Sequence, residues 1–257
     1  MWAAVMALRK KALDAAILSN RRVGTEIYRL EINCPFLAQE GVPGQFIQVR
    51  IDGMGLLLRR PLGIAEAYSA TGTVAMYYRI VGKGTAALAE MKSGQTVNCL
   101  GPLGKGFSLQ AERPLLIGGG MGIAPLLFLA QRFQGKAAVL MGGRNKAEVF
   151  WSDFFAPAAK EVFITTDDGS AGEKGFTTAL LPTLLEKYRF DVLFTCGPDI
   201  MMRKIWEIAD KADVPCQVSL ERHMACGLGA CLSCAIDTAD GGRKKVCQDG
   251  PVFWAQE

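Results

Sequence analysis

The 257-residue chain is half apolar, holds 29 glycines and eight cysteines, and carries 29 basic against 25 acidic side chains, a formal charge of +4. That length suggests roughly two domains with ample core, and so small a positive charge, with no basic stretch interleaved with aromatics, argues against a nucleic-acid binder. The opening MWAAVMALRKKALDAA sets apolar residues before charges, the reverse of a secretory signal, so a cytoplasmic, reducing setting is expected, in which cysteines serve as thiols or metal ligands rather than disulfides.

From Ala15 to about Phe107 the chain runs in short β-rich stretches, AAILSNRRVGTEIYRLEI, GQFIQVRI and TVAMYYRIV, with turns at Pro43-Gly44 and Ala70-Thr71-Gly72. Such spacing predicts an antiparallel barrel or sandwich, interrupted by one helix over GTAALAEM that begins after Gly84. Two stretches inside it suit a phosphate. In RRPLGIAEA, residues 59–67, Arg59 and Arg60 precede a proline that holds the chain extended, so an arginine there can make two parallel hydrogen bonds to a phosphate. A surface arginine pair is the simpler alternative. In YYRIVGKGTAAL a strand leads through Gly82 and Gly84 to Thr85 at a helix start, where free N–H groups favour an anion. Together the two describe one phosphate approached from two sides.

Around Pro114 the texture changes. PLLIGGG, AAVLMGG, EVFITTDD and VLFTCGP read as strands, with helices over PLLFLAQRF, TTALLPTLLEKY and IMMRKIWEIADKA. This alternation predicts a parallel sheet flanked by helices. The most apolar run, LLIGGGMGIAPLLFLA, has 16 residues, four of them glycine and one proline; it falls short of the ~18–20 residues that span a bilayer and reads as strand, turn and helix. Its glycines would let backbone N–H groups approach a pyrophosphate. The CGP at 196–198 ends a later strand of the same sheet, where such sheets present ligand sites, although by spacing alone Cys196 is a small buried residue.

After Val218 comes a Cys- and Gly-rich tail too small for its own apolar core, which needs a metal centre or a neighbour to hold it. Cys226, Cys231, Cys234 and Cys247 are spaced x4, x2 and x12. Zinc sites usually bring two close Cys or His pairs, and here there is one; His223, the single histidine, is a further candidate ligand. The C-x4-C-x2-C…C spacing is that of plant-type [2Fe–2S] clusters, with Gly227 and Gly229 free to turn N–H groups toward the sulfurs. Arg222, Arg243, Lys244 and Lys245 flank the loop, either moderating its charge or simply solvated. A nicotinamide gives up a hydride and such a cluster takes single electrons, so a flavin between them is the required converter.

These motifs resemble the electron-transfer subunits of dihydroorotate dehydrogenase B, in the ferredoxin–NADP reductase-like superfamily. The resemblance covers residues 11–254 and is carried by RRPLGI, YYRIVGKGT, LIGGGMGIAP, TTDDGSAGEKGF, CGPDIMM and LERHMACGLGACLSC. It implies a multi-domain β plus α/β fold: an antiparallel flavin-binding β-barrel (residues 11–108), a parallel-sheet nucleotide-binding domain (109–217) and a small C-terminal [2Fe–2S] module (218–257). It implies FAD held by Arg60, Pro61, Leu62 and Gly63, by Tyr77, Tyr78 and Arg79, and by Gly84 and Thr85. NAD(H) would dock along Gly118, Gly119, Gly120, Asp168, Cys196, Gly197 and Pro198, with Cys196 near the nicotinamide. The cluster ligands are Cys226, Cys231, Cys234 and Cys247. The family's partner is an FMN-containing dihydroorotate dehydrogenase catalytic subunit, two of each chain together, with neither nucleic acid nor membrane involved.

Gly63 departs from related flavin motifs, which often carry Ser or Thr there. Arg144, Asn145 and Lys146 stand where an acid commonly binds a free ribose 2′-hydroxyl, so the residues alone leave NADPH open while the resemblance favours NADH. Two other readings remain: an electron-transfer subunit of a sulfhydrogenase-type or bifurcating reductase, some of which replace the first cluster cysteine with Asp, and a zinc-stabilised binding module on a degenerate reductase scaffold.

Overall fold

The computed structural model describes residues 10–52 and 55–257. The reading of the first residues as no secretory signal falls mostly on positions 1–9, outside the described residues.

The first unit contains β1 (Lys11–Gly24), β2 (Ile27–Asn33), α1 (Pro35–Glu40), β3 (Phe46–Arg50), β4 (Arg60–Gly63), β5 (Glu66–Tyr68), β6 (Thr73–Arg79), α2 (Lys83–Glu90) and β7 (Thr96–Leu103). Its strands form one antiparallel sheet in the order β4-β3-β7-β1-β2-β6-β5. Alternate residues point to opposite faces of a strand. Ile17, Leu30, Ile32, Ile47, Val49, Val74, Met76 and Val97 therefore converge on a single core, round which the sheet curls as a barrel. The expected turns are present, with Gly44 and Gly72 at φ +92° and +70°, where a side chain would be strained. Helix α2 begins at Lys83, earlier than its sequence suggests. The reason is Thr85, whose hydroxyl accepts from the N–H groups of Val81 (2.9 Å) and Gly82 (3.2 Å) and so caps the first turn.

The second unit contains β8 (Pro114–Gly119), a 3-10 turn (Gly120–Ile123), α3 (Ala124–Phe133), β9 (Ala138–Gly143), α4 (Ser152–Phe155), β10 (Glu161–Thr166), β11 (Glu173–Lys174), α5 (Thr177–Lys187), β12 (Val192–Cys196), α6 (Asp199–Lys211) and β13 (Cys216–Ser219). The most apolar run thus folds as β8, turn and α3, and no helix among the described residues is long and apolar enough to cross a membrane. Leu116, Val139 and Phe194 face α3, while Leu115, Ile117, Leu140 and Leu193 face α5 and α6. Strands buried on both faces explain the continuous apolar runs.

The tail adds β14 (Ala235–Asp237), β15 (Arg243–Lys245) and β16 (Val252–Trp254). The sheet order is β11-β10-β9-β8-β12-β13-β16, with β16 antiparallel to β13. The expected parallel sheet is present from β8 to β13, and the tail extends it with one antiparallel strand. An antiparallel partner needs no helical crossover, so the returning tail can cover the β13 edge and bury Val252 and Phe253. This is the neighbour that the small tail required.

Candidate functional site

The two arginines before Pro61 have separate tasks. Arg59 donates to the carbonyls of Gln48 and Asn98 (both 3.2 Å) and to Asn98 Oδ1 (2.6 Å), joining β3 to β7. Arg60 instead lays its guanidinium over the first turn of α2, so that a Cβ at Gly84 would overlap it, and donates to the Leu58 carbonyl. Cation and helix start are thereby brought together, as a phosphate cradle requires. The Thr85 hydroxyl is committed to its cap, which leaves its backbone N–H for a ligand. Arg79 has a buried Nε without a partner among the described residues. This donor set fits a flavin diphosphate.

Beside the cradle lies a cavity lined by Pro61, Leu62, Gly63, Tyr77, Tyr78, Arg79 and Thr85 from the barrel, by Met121, Ala124, Pro125 and Cys196 from the second unit, and by Ser219 to Arg222, Met224 and Pro251 from the tail. A Cβ at Gly63 would come 3.1 Å from Pro125 Cγ, a tight contact that gives glycine a packing role at this join. Tyr77 presses edge-on against Trp151 and Phe154, and its hydroxyl donates to Glu66 (2.8 Å). Glu66 also receives Arg29 (2.8 and 3.2 Å) and Tyr68 (2.7 Å). Burial alone would raise the Glu66 carboxyl, but hydrogen bonds from Arg29, Tyr68 and Tyr77 with the Arg29 charge hold it below the usual range. Burial pushes the Cys196 thiol up to about 12, so it stays neutral.

The strand order reverses between β8 and β12, which makes a crevice at their carboxyl ends. Gly118, Gly119 and Gly120 leave one strand there, and Cys196, Gly197 and Pro198 leave the other. The approach is too close for side chains: a Cβ at Gly122 would sit 2.5 Å from Gly197 Cα. Asp168 lies farther along the same edge, exposed, with Oδ1 accepting from the Ser170 N–H (2.9 Å) and hydroxyl (2.6 Å), contacts that hold its carboxyl below the ordinary value. Its N–H reaches the Arg144 carbonyl at 3.3 Å, tying the loops after β9 and β10 together. Arg144 is gripped by Glu148, which accepts from its backbone N–H (2.9 Å), its Nε (2.7 Å) and its Nη2.

None of the eight cysteines, the four expected ligands in the tail included, is in a disulfide. Cys234 and Cys247 are buried, Cys226 is half-buried and Cys231 is exposed. No three metal-ligating side chains among the described residues converge closely enough for a single ion. Cys231 neighbours Cys226, and Cys247 neighbours Cys234 and feels Cys226 as well. Backbone N–H groups already point at sulfur: Leu228 to Cys226 (3.3 Å), Gly229 to Cys247 (3.1 Å) and Cys247 to Cys234 (3.4 Å). Hydrogen bonds from Ser233, then from the Cys226 neighbourhood, hold the Cys231 thiol down to about 6. Burial and Cys234 push Cys247 up to about 12, so metal binding must displace its proton. The flanking Arg222, Arg243 and Lys244 each pair with a carboxylate, Asp199, Asp237 and Glu257, and His223 is exposed.

The tail, residues 221–257, matches the model for the iron–sulfur cluster binding domain of dihydroorotate dehydrogenase B, and residues 15–107 match the oxidoreductase FAD-binding domain. The electron-transfer subunit of dihydroorotate dehydrogenase B (NAD(+)) from Desulforamulus reducens is 40% identical over 252 residues, 95% of this chain and 96% of that one. That from Caldanaerobacter subterraneus is 39% identical over 249 residues, covering 95% and 97%. The chain belongs to the family of dihydroorotate dehydrogenase B electron-transfer subunits. The chain shares its architecture with a solved NADH-dependent reduced ferredoxin-NADP oxidoreductase, described for flavin-based electron bifurcation, at TM-score 0.85 and 30% identity over 99% of this chain and 91% of that one. A ferredoxin NADP+ reductase from Neisseria gonorrhoeae shares the fold at TM-score 0.63 and 20% identity over 79% and 92%. The fold is thus ferredoxin–NADP reductase-like with an added cluster domain, and FAD and an iron–sulfur cluster are the cofactors of this family member.

Sequence reasoning missed the tail's share of the cavity, Ser219 to Arg222, Met224 and Pro251, because no local pattern marks a wall built by a returning chain.

Proposed function

We propose that the chain carries electrons between NADH and the FMN-containing catalytic subunit of dihydroorotate dehydrogenase, in pyrimidine biosynthesis, with two of each chain in a cytoplasmic complex. Its working units in this reading are residues 11–108 for FAD, 109–217 for the nucleotide and 218–257 for the cluster. The observation that carries the reading is the single cavity to which barrel, second sheet and tail all contribute walls. Bound there, FAD would accept a hydride and a neighbouring [2Fe–2S] cluster would carry single electrons onward.

Arg60, Gly84 and Arg79 hold the flavin's phosphates in this reading, while Pro61, Leu62 and Gly63 and the Tyr77–Tyr78 segment border its ring. Gly118–Gly120 and Gly197–Pro198 receive the dinucleotide at the crevice. Cys196, neutral beneath it, offers a small polarisable contact and no charge. Asp168 reaches the ribose side. Glu148 supports NADH over NADPH, because it occupies the Arg144 donors that a 2′-phosphate would need. Cys226, Cys231, Cys234 and Cys247 ligate the irons, and the N–H groups of Leu228 and Gly229 temper their charge.

Anaerobic co-purification with cofactor analysis tests the reading. The expected result is a complex with an FMN-bearing dihydroorotate dehydrogenase chain, NADH–dye reduction by this chain alone, and dihydroorotate oxidation only with the partner. Dihydroorotate oxidation by the isolated chain would overturn it. The 30%-identical bifurcating relative favours a second reading, a reductase module serving a different flavoprotein or a hydrogenase; Cys226, rather than Asp, stands against some such relatives, and the co-purified partner decides.

A further inference from the structure

Gln45, just before β3, and Gln48, in its middle, are three residues apart, and both are fully buried. Gln45 uses both ends of its amide: Nε2 donates to the Gly104 carbonyl (2.8 Å) and Oε1 accepts from the Val42 N–H (3.0 Å). Gln48 uses neither, and its Nε2 and Oε1 have no partner among the described residues. An amide buried unpaired carries the whole cost of its lost hydration, and native structures rarely keep one without a use.

The direction of this side chain follows from the strand. Ile47 and Val49 point into the barrel core, whereas Phe46 points the other way, into the apolar cluster that contains Cys234 and Cys247. Gln48 shares the outward face with Phe46. There it meets the cysteine loop: a Cβ on Gly227, the residue after Cys226, would lie 2.6 Å from Gln48 Nε2. Gly227 stands at φ +69° with that space filled by the glutamine. In the ladder Gln48 is opposite Pro61, so one residue touches both the flavin-motif strand and the cluster loop.

We propose that Gln48 donates its Nε2–H to a sulfur of the iron–sulfur cluster from the barrel side, and thereby makes the cluster easier to reduce. The proposal rests on the cluster reading above. A cluster held by four thiolates becomes more negative on accepting an electron, so a fixed N–H donor favours the reduced form. The backbone donors of Leu228, Gly229 and Cys247 serve the cysteine sulfurs from within the loop; Gln48 adds a donor from the barrel.

The test is an EPR-monitored redox titration of the holoprotein and its Q48M variant, with iron and FAD measured on the same samples. Q48M removes the donor at similar length; iron and FAD should be retained while the cluster becomes about tenfold harder to reduce, a downward shift of about 59 mV for one electron. An unchanged cluster potential in iron-replete Q48M would overturn the proposal, as would a shift confined to the flavin. Should Q48M fold poorly, Q48L serves instead, again without a donor: a cluster potential equal to the wild type in iron-replete Q48L refutes the role. A wild-type protein without iron–sulfur absorbance would overturn the cluster reading itself, a result distinct from an intact cluster indifferent to residue 48.

Discussion

In the barrel, Leu30, Ile32, Ile47, Val74 and Met76 are all shut off from solvent and come from three strands of one sheet. In the tail, between Arg222 and Lys245, the buried residues are Gly227 and Cys234 alone. The barrel is held by apolar area that its own strands supply. The cysteine loop has almost none and rests on the β13–β16 pairing at its base and, in the reading proposed above, on bonds from sulfur to metal. The same chain thus contains one unit that needs no cofactor for its core and one that does.

The largest expected effect separates the two outright. C231A should abolish the cluster absorbance and electron delivery to the catalytic partner, with FAD content and barrel melting unchanged; iron assay and a flavin-fluorescence melt check it. Loss of FAD in the same variant would mean the barrel leans on the loop after all.

Next, E66A should strike only the barrel. It leaves the buried Arg29 with Glu31 as its remaining partner, so a cost of about 3 kcal/mol is expected, at the low end for a broken buried pair. Urea unfolding measures it, and the cluster spectrum should hold until the barrel unfolds. Because the folded Glu66 titrates below its ordinary value, its stabilisation is present above about pH 4.3 and is lost as pH falls through the folded value. The wild type should therefore lose stability more steeply than E66A in acid.

R60A acts at the cradle rather than the core. FAD should dissociate roughly 10- to 100-fold more readily, the scale of one charged hydrogen bond, with the fold and cluster intact; flavin retained on dialysis reads this out. The smallest effect belongs to E148Q, which should raise the NADPH-to-NADH ratio of kcat/KM by about fivefold or less, as befits an exposed ion pair. No change would mean that Arg144 is free for a 2′-phosphate despite Glu148.

Many residues of the proposed site stand in patterns that the sequence shows by itself. The strands round GQFIQVRI and TVAMYYRIV, the glycine turns at 82–84 and 118–120, and the cysteine spacing are local patterns, each confined to a dozen or so residues. The antiparallel return of Val252–Trp254 was not legible, because it depends on which groups happen to lie nearby in space. Arg29 and Glu66 gave no hint of their pairing, being 37 residues apart, and Glu148 resembled any helix-start acid until it closed on Arg144.

By itself the sequence determined the chemistry on offer: thiols at [2Fe–2S] spacing, cations and glycines at phosphate spacing, and two kinds of strand periodicity. Residue type and short-range spacing suffice for that, since ligand bonds and strand faces are set within a few residues. Only the tertiary structure decided that barrel, second unit and tail wall one cavity, and that Gln48, paired with Pro61, lies against Gly227. Such adjacency comes from packing between segments almost 180 residues apart, and packing is a property of the closed core that no local pattern contains.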